Sequence, residues 1–196
     1  MLVAGKQTTD QVLRSFLTAA RSGVKKASMA VDLMSASAVR MDVISAGIAP
    51  TSTLAEVAGS AEDMVVGVYI SVTGDILGHA LLVFSCESAL PLIDLILGQP
   101  VGTAQDMGEM ERSVIQEVGN IVTSSYLNAL SDFYSCSLWP SPPSVAVDMA
   151  SAVVDSVLIN TGHFDEDTVS IVTRFAGNDL SLRGFFLYIP EITPSL

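Results

Sequence analysis

The chain has 196 residues, 49% of them hydrophobic and 15% charged, with a mean hydropathy of +0.51 and a formal net charge of −12. It is long enough for one domain or two small fused ones and too apolar for disorder, and its two cysteines, Cys86 and Cys136, exclude a disulfide scaffold or a cysteine-built zinc site. The start lacks the apolar core of a secretory signal, and the longest uncharged stretch, 133–147, is broken by Pro140, Pro142 and Pro143, so a soluble, cytoplasmic protein without membrane insertion is expected.

Asp10 to about Met34 places Val12, Phe16, Ala19, Ala20, Val24 and Ala27 at helical spacing and predicts a long helix. Positive charge collects there. Residues 1–40 hold Lys6, Arg14, Arg21, Lys25, Lys26 and Arg40 against Asp10 and Asp32, a balance of +4, which leaves −16 on the rest of the chain. An acidic body of that size repels phosphate backbones, so nucleic acid is not expected as a partner. The basic helix reads either as a solvated face or as a contact for an anionic partner. Strand-like runs follow at Val39–Ala46 and Thr53–Ala58. The alternation Val66, Val68, Ile70, Val72 closes in a turn at 73–75 and is answered by 77–84, a hairpin pattern. A short helix is predicted over Glu87–Leu97, stopped by Gly98 and Pro100.

The second half repeats this order. A long helix is predicted from Met107 to about Tyr134, with Asp106 as N-cap and Glu109 completing a capping box. The strand-like run 147–152 echoes 41–46, and Val169, Ile171, Thr173, Phe175 and Gly177 match Val66, Val68, Ile70, Val72 and Gly74, each 103 positions apart. The second copy has no counterpart of the 87–97 helix. The expectation is an α+β fold with pseudo-twofold duplication: one domain, 1–196, made of two pseudo-repeats (about 1–100 and about 101–196), with two long helices packed on antiparallel sheet.

One segment looks chemically loaded. On a helical wheel Val114, Val118, Ile121, Val122, Ser125 and Ala129 fall on one face, expected to meet the core, while Ser113, Glu117, Asn120 and Ser124 line nearly the opposite side. Glu117 and Asn120 are then neighbours one turn apart. No His, Cys or Lys shares the stripe, so a nucleophile with an adjacent base is not expected. An amide both donates and accepts, and it can orient a water without taking its proton. That suffices for hydrolysis of an activated phosphoryl group, whose loose transition state depends more on positioning than on a strong base. A partner would have to supply the phosphoryl group and any metal. The same pair is also an ordinary solvated pair on an exposed helix.

The segment resembles the signature of the chemotaxis phosphatases CheC and CheX, relatives of the flagellar switch protein FliY: Ser113, Glu117, Asn120 and, after a spacer of residues 121–142, Pro143. The likeness extends to the run 126–131 and to the hairpin 65–84. It implies removal of phosphate from the phosphoaspartate of a CheY-type response regulator in chemotaxis signalling. Asn120 would align the attacking water, and Glu117 would pair with a lysine of the regulator. Ser113 and Pro143 would support them, no cofactor would be bound by this chain, and the magnesium ion would belong to the regulator. Many CheC proteins carry the Glu/Asn pair in both halves. Here the first Glu is Glu56 and the first Asn is Asn120, so the first half is expected to lack an active site. The alternative is a non-catalytic module, flagellar-switch-like or binding the receptor deamidase CheD. Arg14, Arg21, Lys25 and Lys26 are a possible docking aid for the regulator's acidic pocket.

Other residues are expected to be structural. His79 and His163 read as packed or solvated, Asp165, Glu166 and Asp167 as a solvated turn, and Cys86 and Cys136 as buried thiols. Gly74 and Gly98 fit a turn and a helix stop. Leu127, close to the stripe, is a candidate interface contact, and Trp139 a candidate core residue.

Overall fold

The computed structural model describes residues 9–36, 38–50, 60–161, 167–177 and 182–191. The elements are α1 (Thr9–Met34), β1 (Val39–Pro50), β2 (Met64–Gly74), β3 (Gly78–Ser85), α2 (Cys86–Ile96), α3 (Glu109–Tyr134), β4 (Leu138–Pro140), β5 (Ser144–Met149), α4 (Ala150–Thr161), β6 (Asp167–Gly177) and β7 (Gly184–Pro190). The seven strands form one antiparallel sheet in the order β1-β6-β7-β3-β2-β4, and β5 follows β4 along β2. Thr53–Ala58, His163, Asp165 and Glu166 lie outside the described residues, and Asp167 opens β6.

Alternation along the strands sends successive side chains to opposite faces. Val66, Val68, Ile70, Leu82, Phe84, Ile171, Phe175 and Phe186 join α1, α2 and α3 in the larger core. Val65, Leu81, Val83, Val172, Leu187 and Ile189 pack on the other face against Ala150, Val153, Val154, Val157 and Leu158 of α4. Two long helices on antiparallel sheet are thus present, with α4 as an addition. The run 147–152 is not one strand: β5 ends at Met149 and α4 begins at Ala150. Its apolar residues recur at helical spacing, and its first N–H groups donate outside the helix, Ala150 to the Asp63 carbonyl (2.9 Å) and Ser151 to that of Ala61 (3.2 Å).

The two sheet edges pair in matching register. Val39, Met41, Ser45 and Pro50 of β1 face Gly177, Phe175, Val172 and Asp167 of β6. Leu138, Pro140, Ser144 and Met149 face Gly74, Val72, Tyr69 and Met64 of β2. A shift of 99 positions therefore superposes β1 on β4–β5, and the echo of 41–46 in 147–152 lies in the wrong register. The same shift carries α1 onto α3. Phe16, Ala19, Ala20, Val24, Ala27 and Val31 fall on Ile115, Val118, Gly119, Thr123, Tyr126 and Leu130, every one buried. Each helix is followed by a residue at φ 51°, Ala36 in one half and Ser135 in the other.

α3 starts later than expected. Its N-cap is Gly108 in extended conformation with no side-chain cap, and Glu109 is the first helical residue, not the third. Glu109 and Glu111 instead sit in the first turn, where a carboxylate favours the positive end of the helix dipole. Among the described residues no helix is long and apolar enough to cross a membrane.

Candidate active site

α3 is covered from two sides, by α1 and by the sheet, so its buried arc is wider than a single apolar stripe. Ile115, Val118, Gly119, Val122, Thr123, Tyr126, Leu127, Ala129 and Leu130 are buried. Val114, Ile121 and Ser125, expected in the core, are only half-buried. Leu127 is 1% exposed and belongs to the core, so it is not an interface contact. Glu117 and Asn120 stay outside the buried arc one turn apart, Glu117 exposed and Asn120 half-buried. Asn120 follows Gly119, where the helix presses on β2: a Cβ there would stand 2.6 Å from Val68 Cγ1. The amide is therefore carried on a rigid contact between helix and central sheet.

Ser113 is exposed, and its Oγ donates to the Glu109 carbonyl at 2.9 Å, within its own helix. Pro143 lies beside α3 in a way the sequence did not disclose. Between the pairs Pro140↔Val72 and Ser144↔Tyr69, residues 141–143 of one strand face only Ile70 and Ser71 of the other. Ser141 holds the ladder by donating its N–H to the Ser71 carbonyl (2.8 Å). Pro143 occupies the extra position, a bulge, where a residue without an N–H costs no ladder bond. Its carbonyl accepts a 2.7 Å hydrogen bond from Gln116 Nε2. Gln116, next to Glu117, thus fastens the bulge to the helix, and sequence reasoning missed it because the partners are 27 residues apart.

The remaining candidates fall elsewhere. Trp139 is 65% exposed, not core: alternation turns Leu138 inward and Trp139 outward. Cys86 and Cys136 are free and half-buried, and burial pushes both thiols up, so neither is primed as a nucleophile. His79 is buried, with Nδ1 2.8 Å from the Tyr69 hydroxyl and Nε2 3.0 Å from Glu191 Oε1, and Tyr69 packs against the core on the α4 face. Both ring nitrogens are engaged away from α3, as a structural histidine requires. Gly74 (φ 119°) and Gly98 (φ 67°) adopt positive-φ backbone at a turn and a helix end. Lys26 bonds Asp132 at 2.8 Å, joining α1 to α3. Among the described residues no three His, Cys, Asp or Glu side chains converge to hold a metal ion.

Residues 110–147, which contain Ser113, Glu117, Asn120 and Pro143, match the model of the CheC-like family. The chain is 28% identical over 157 residues to the protein named CheY-P phosphatase CheC of Bacillus subtilis (strain 168), covering 78% of this chain and 75% of that one. Its fold is shared with Thermotoga maritima FliY (TM-score 0.69, 16% identity, 96% of this chain and 92% of that chain). It is also shared with a chain of the CheX–CheY–BeF3–Mg complex from Borrelia burgdorferi (TM-score 0.61, 14% identity, 88% of this chain and 97% of that chain). The chain therefore has an α+β fold in common with these proteins.

Proposed function

We propose that this CheC-like chain hydrolyses the phosphoaspartate of a CheY-type response regulator. The observation that carries the reading is the Glu117/Asn120 pair, outside the core of a helix wedged on the sheet and within the segment matched to the CheC-like model. The relative named CheY-P phosphatase and the CheX–CheY complex support the substrate class.

The Asn120 amide accepts from and donates to one water and holds it in line with the phosphorus. The water oxygen bonds to phosphorus as the bond from phosphorus to the aspartyl oxygen breaks, the carboxylate leaves, and the water's proton passes to an oxygen of the released phosphate. Little covalent help is needed at so loose a transition state, and fixing the water supplies the acceleration. Glu117 pairs with a lysine of the regulator and fixes register by a charge-assisted bond. Gln116 and Pro143 hold the neighbouring bulge in place, and Ser113 borders the docking face. Magnesium on the regulator neutralises phosphoryl charge.

The test is the lifetime of a phosphorylated regulator. Wild type should shorten it. Asn120→Ala should lose about a hundredfold of that effect, about 2.7 kcal/mol, at unchanged thermal stability. Glu117→Ala should weaken docking more than turnover. No acceleration by wild type would leave the binding-module reading, flagellar-switch-like or CheD-binding. Acceleration that survives Asn120→Ala would assign the water to another residue.

A further inference from the structure

The first half keeps the geometry of the α3 face and reverses its polarity. In the 99-position register, Ser113, Glu117, Asn120 and Ser124 fall on Arg14, Thr18, Arg21 and Lys25, all exposed on α1. An acid-and-amide stripe in one half is a basic stripe in the other. Beside it lies an open groove of about 540 Å³ between α1 and the edge strand β1, with Arg21, Lys25 and Arg40 at its rim, the exposed Met29 offering apolar surface, and the buried Val24 and Met41 behind it. The same register carries this lining onto Asn120, Ser124 and the strand at Trp139–Pro142. The groove is thus the first-half counterpart of the space beside the candidate active site.

We infer that this groove docks a carboxylate-rich segment of a partner protein. Charge complementarity selects the occupant. Among the described residues neither Arg21 nor Lys25 has an ion-pair partner, whereas Lys26, on another side of the same helix, is engaged by Asp132. A long uniform polyanion is disfavoured, because Asp32 and Asp42 line the same groove and the chain beyond residue 40 carries −16. A short segment can put carboxylates on Arg21 and Lys25 and an apolar side chain on Met29, and avoid that field. Among the described residues β1 pairs only with β6, and its residues 40–43 line the groove. There the Met41 N–H donates to Ser28 Oγ (2.9 Å), which gives that edge group a partner within the chain. This surface stands apart from Glu117 and Asn120, and the inference holds whether or not the chain hydrolyses a phosphoaspartate.

The test uses the full chain and a fluorescein-labelled octapeptide of glutamates and two leucines, followed by fluorescence polarisation. Saturable binding is expected at about 50 mM salt, at least about tenfold weaker at about 300 mM as the charges are screened. Arg21→Glu with Lys25→Glu should abolish it, and the milder Arg21→Gln with Lys25→Gln should weaken it about tenfold at an unchanged melting temperature. Asn120→Ala should leave it intact. No saturable binding at low salt, or binding indifferent to both double variants, would overturn the inference. So would tighter binding, through the same two residues, of a single-stranded DNA octamer or of phosphatidylserine vesicles.

Discussion

α1 and α3 are the same helix with two different outer surfaces. Their buried positions coincide in the 99-position register, both end in a residue at φ 51°, and both lead into an edge strand with an irregularity at the same point. The extra residue is Ile44 in β1 and Pro143 beside β5. The differences come in matched pairs. Where Ser28 accepts the Met41 N–H in the first half, the second half has Leu127 and Pro140 at the corresponding positions, an apolar residue and one with no N–H to satisfy. Where the second half has Glu117 and Asn120, the first has Thr18 and Arg21. The lesson is that the core constrains one side of each helix and leaves the other free to take different chemistry, so fold and site are separable within one chain.

The largest expected effect comes from what the first half has and the second, among the described residues, lacks. Asp94 of α2 is fully buried, and its carboxylate accepts from the backbone N–H groups of Gly102 (2.7 Å), Thr103 (3.0 Å) and Ala104 (2.9 Å). These bonds shape the connection from α2 to α3. Asp94→Ala strips three donors of their acceptor and should cost about 3 kcal/mol in urea unfolding, with Asp94→Asn, which keeps one acceptor oxygen, in between. A loss below ~1 kcal/mol for the alanine would mean that water replaces the carboxylate and that the connection is not built on it.

Next come the glycines by which the two helices touch their neighbours. A Cβ at Gly23 would stand 2.6 Å from the Tyr126 ring, and one at Gly119 2.6 Å from Val68 Cγ1. Neither neighbour is a flexible chain end: Tyr126 is boxed by Phe186 (5.2 Å) and Tyr188 (5.0 Å), and Val68 sits in the middle of β2. Alanine at either should lower stability by about 1–3 kcal/mol, despite its ~1 kcal/mol advantage in helix propensity. The comparison sharpens in the second readout. Gly119→Ala should displace α3 beneath Asn120 and, under the proposed function, also slow dephosphorylation, whereas Gly23→Ala should leave turnover per folded molecule unchanged. Equal effects of the two on turnover would show that the seat of Asn120 is not local.

Much of this was legible in the sequence, and what was not has identifiable causes. Periodicity located α1, α2 and α3 by their helical repeat, and the β2–β3 hairpin by two apolar runs on either side of a turn, although both faces of β3 are buried. It failed at 147–152, where three alternating residues run straight into a helix whose spacing (150, 153, 154, 157, 158) emerges only when read further on. The wheel put the core face of α3 about one residue out because two neighbours cover the helix, which a one-stripe picture does not anticipate. Glu117 and Asn120 were read from their spacing and their resemblance to a signature. Gln116 was not, since its hydrogen bond to the Pro143 carbonyl depends on a bulge that only strand pairing displays. Asp94 did leave a signal, an acid within the apolar run 89–97, but its partners are backbone groups and carry no residue code.

The smallest expected effect tests how unequal packing is tolerated between the two helices. Tyr126 falls in register on Ala27, so a large ring in one half meets a small residue in the other. The ring fills that space, but its hydroxyl is buried and has no hydrogen-bond partner among the described residues. Tyr126→Phe should therefore leave stability at neutral pH unchanged or raise it by up to about 1 kcal/mol. The hydroxyl matters at high pH. Burial raises the Tyr126 and Tyr188 phenols above their ordinary value, so the folded protein keeps protons that the unfolded chain releases from about pH 10. With more protons bound to the folded state, the phenols' contribution to stability is present below about pH 10 and is lost as pH rises beyond it. Melting temperatures taken from about pH 8 to 11 should drop less steeply for Tyr126→Phe than for wild type, the remaining slope coming from Tyr188, from the less buried Tyr69 and Tyr134, and from the thiols of Cys86 and Cys136. A variant several degrees less stable at neutral pH would show instead that the hydroxyl holds a buried water, and that the asymmetry between the helices is a polar one.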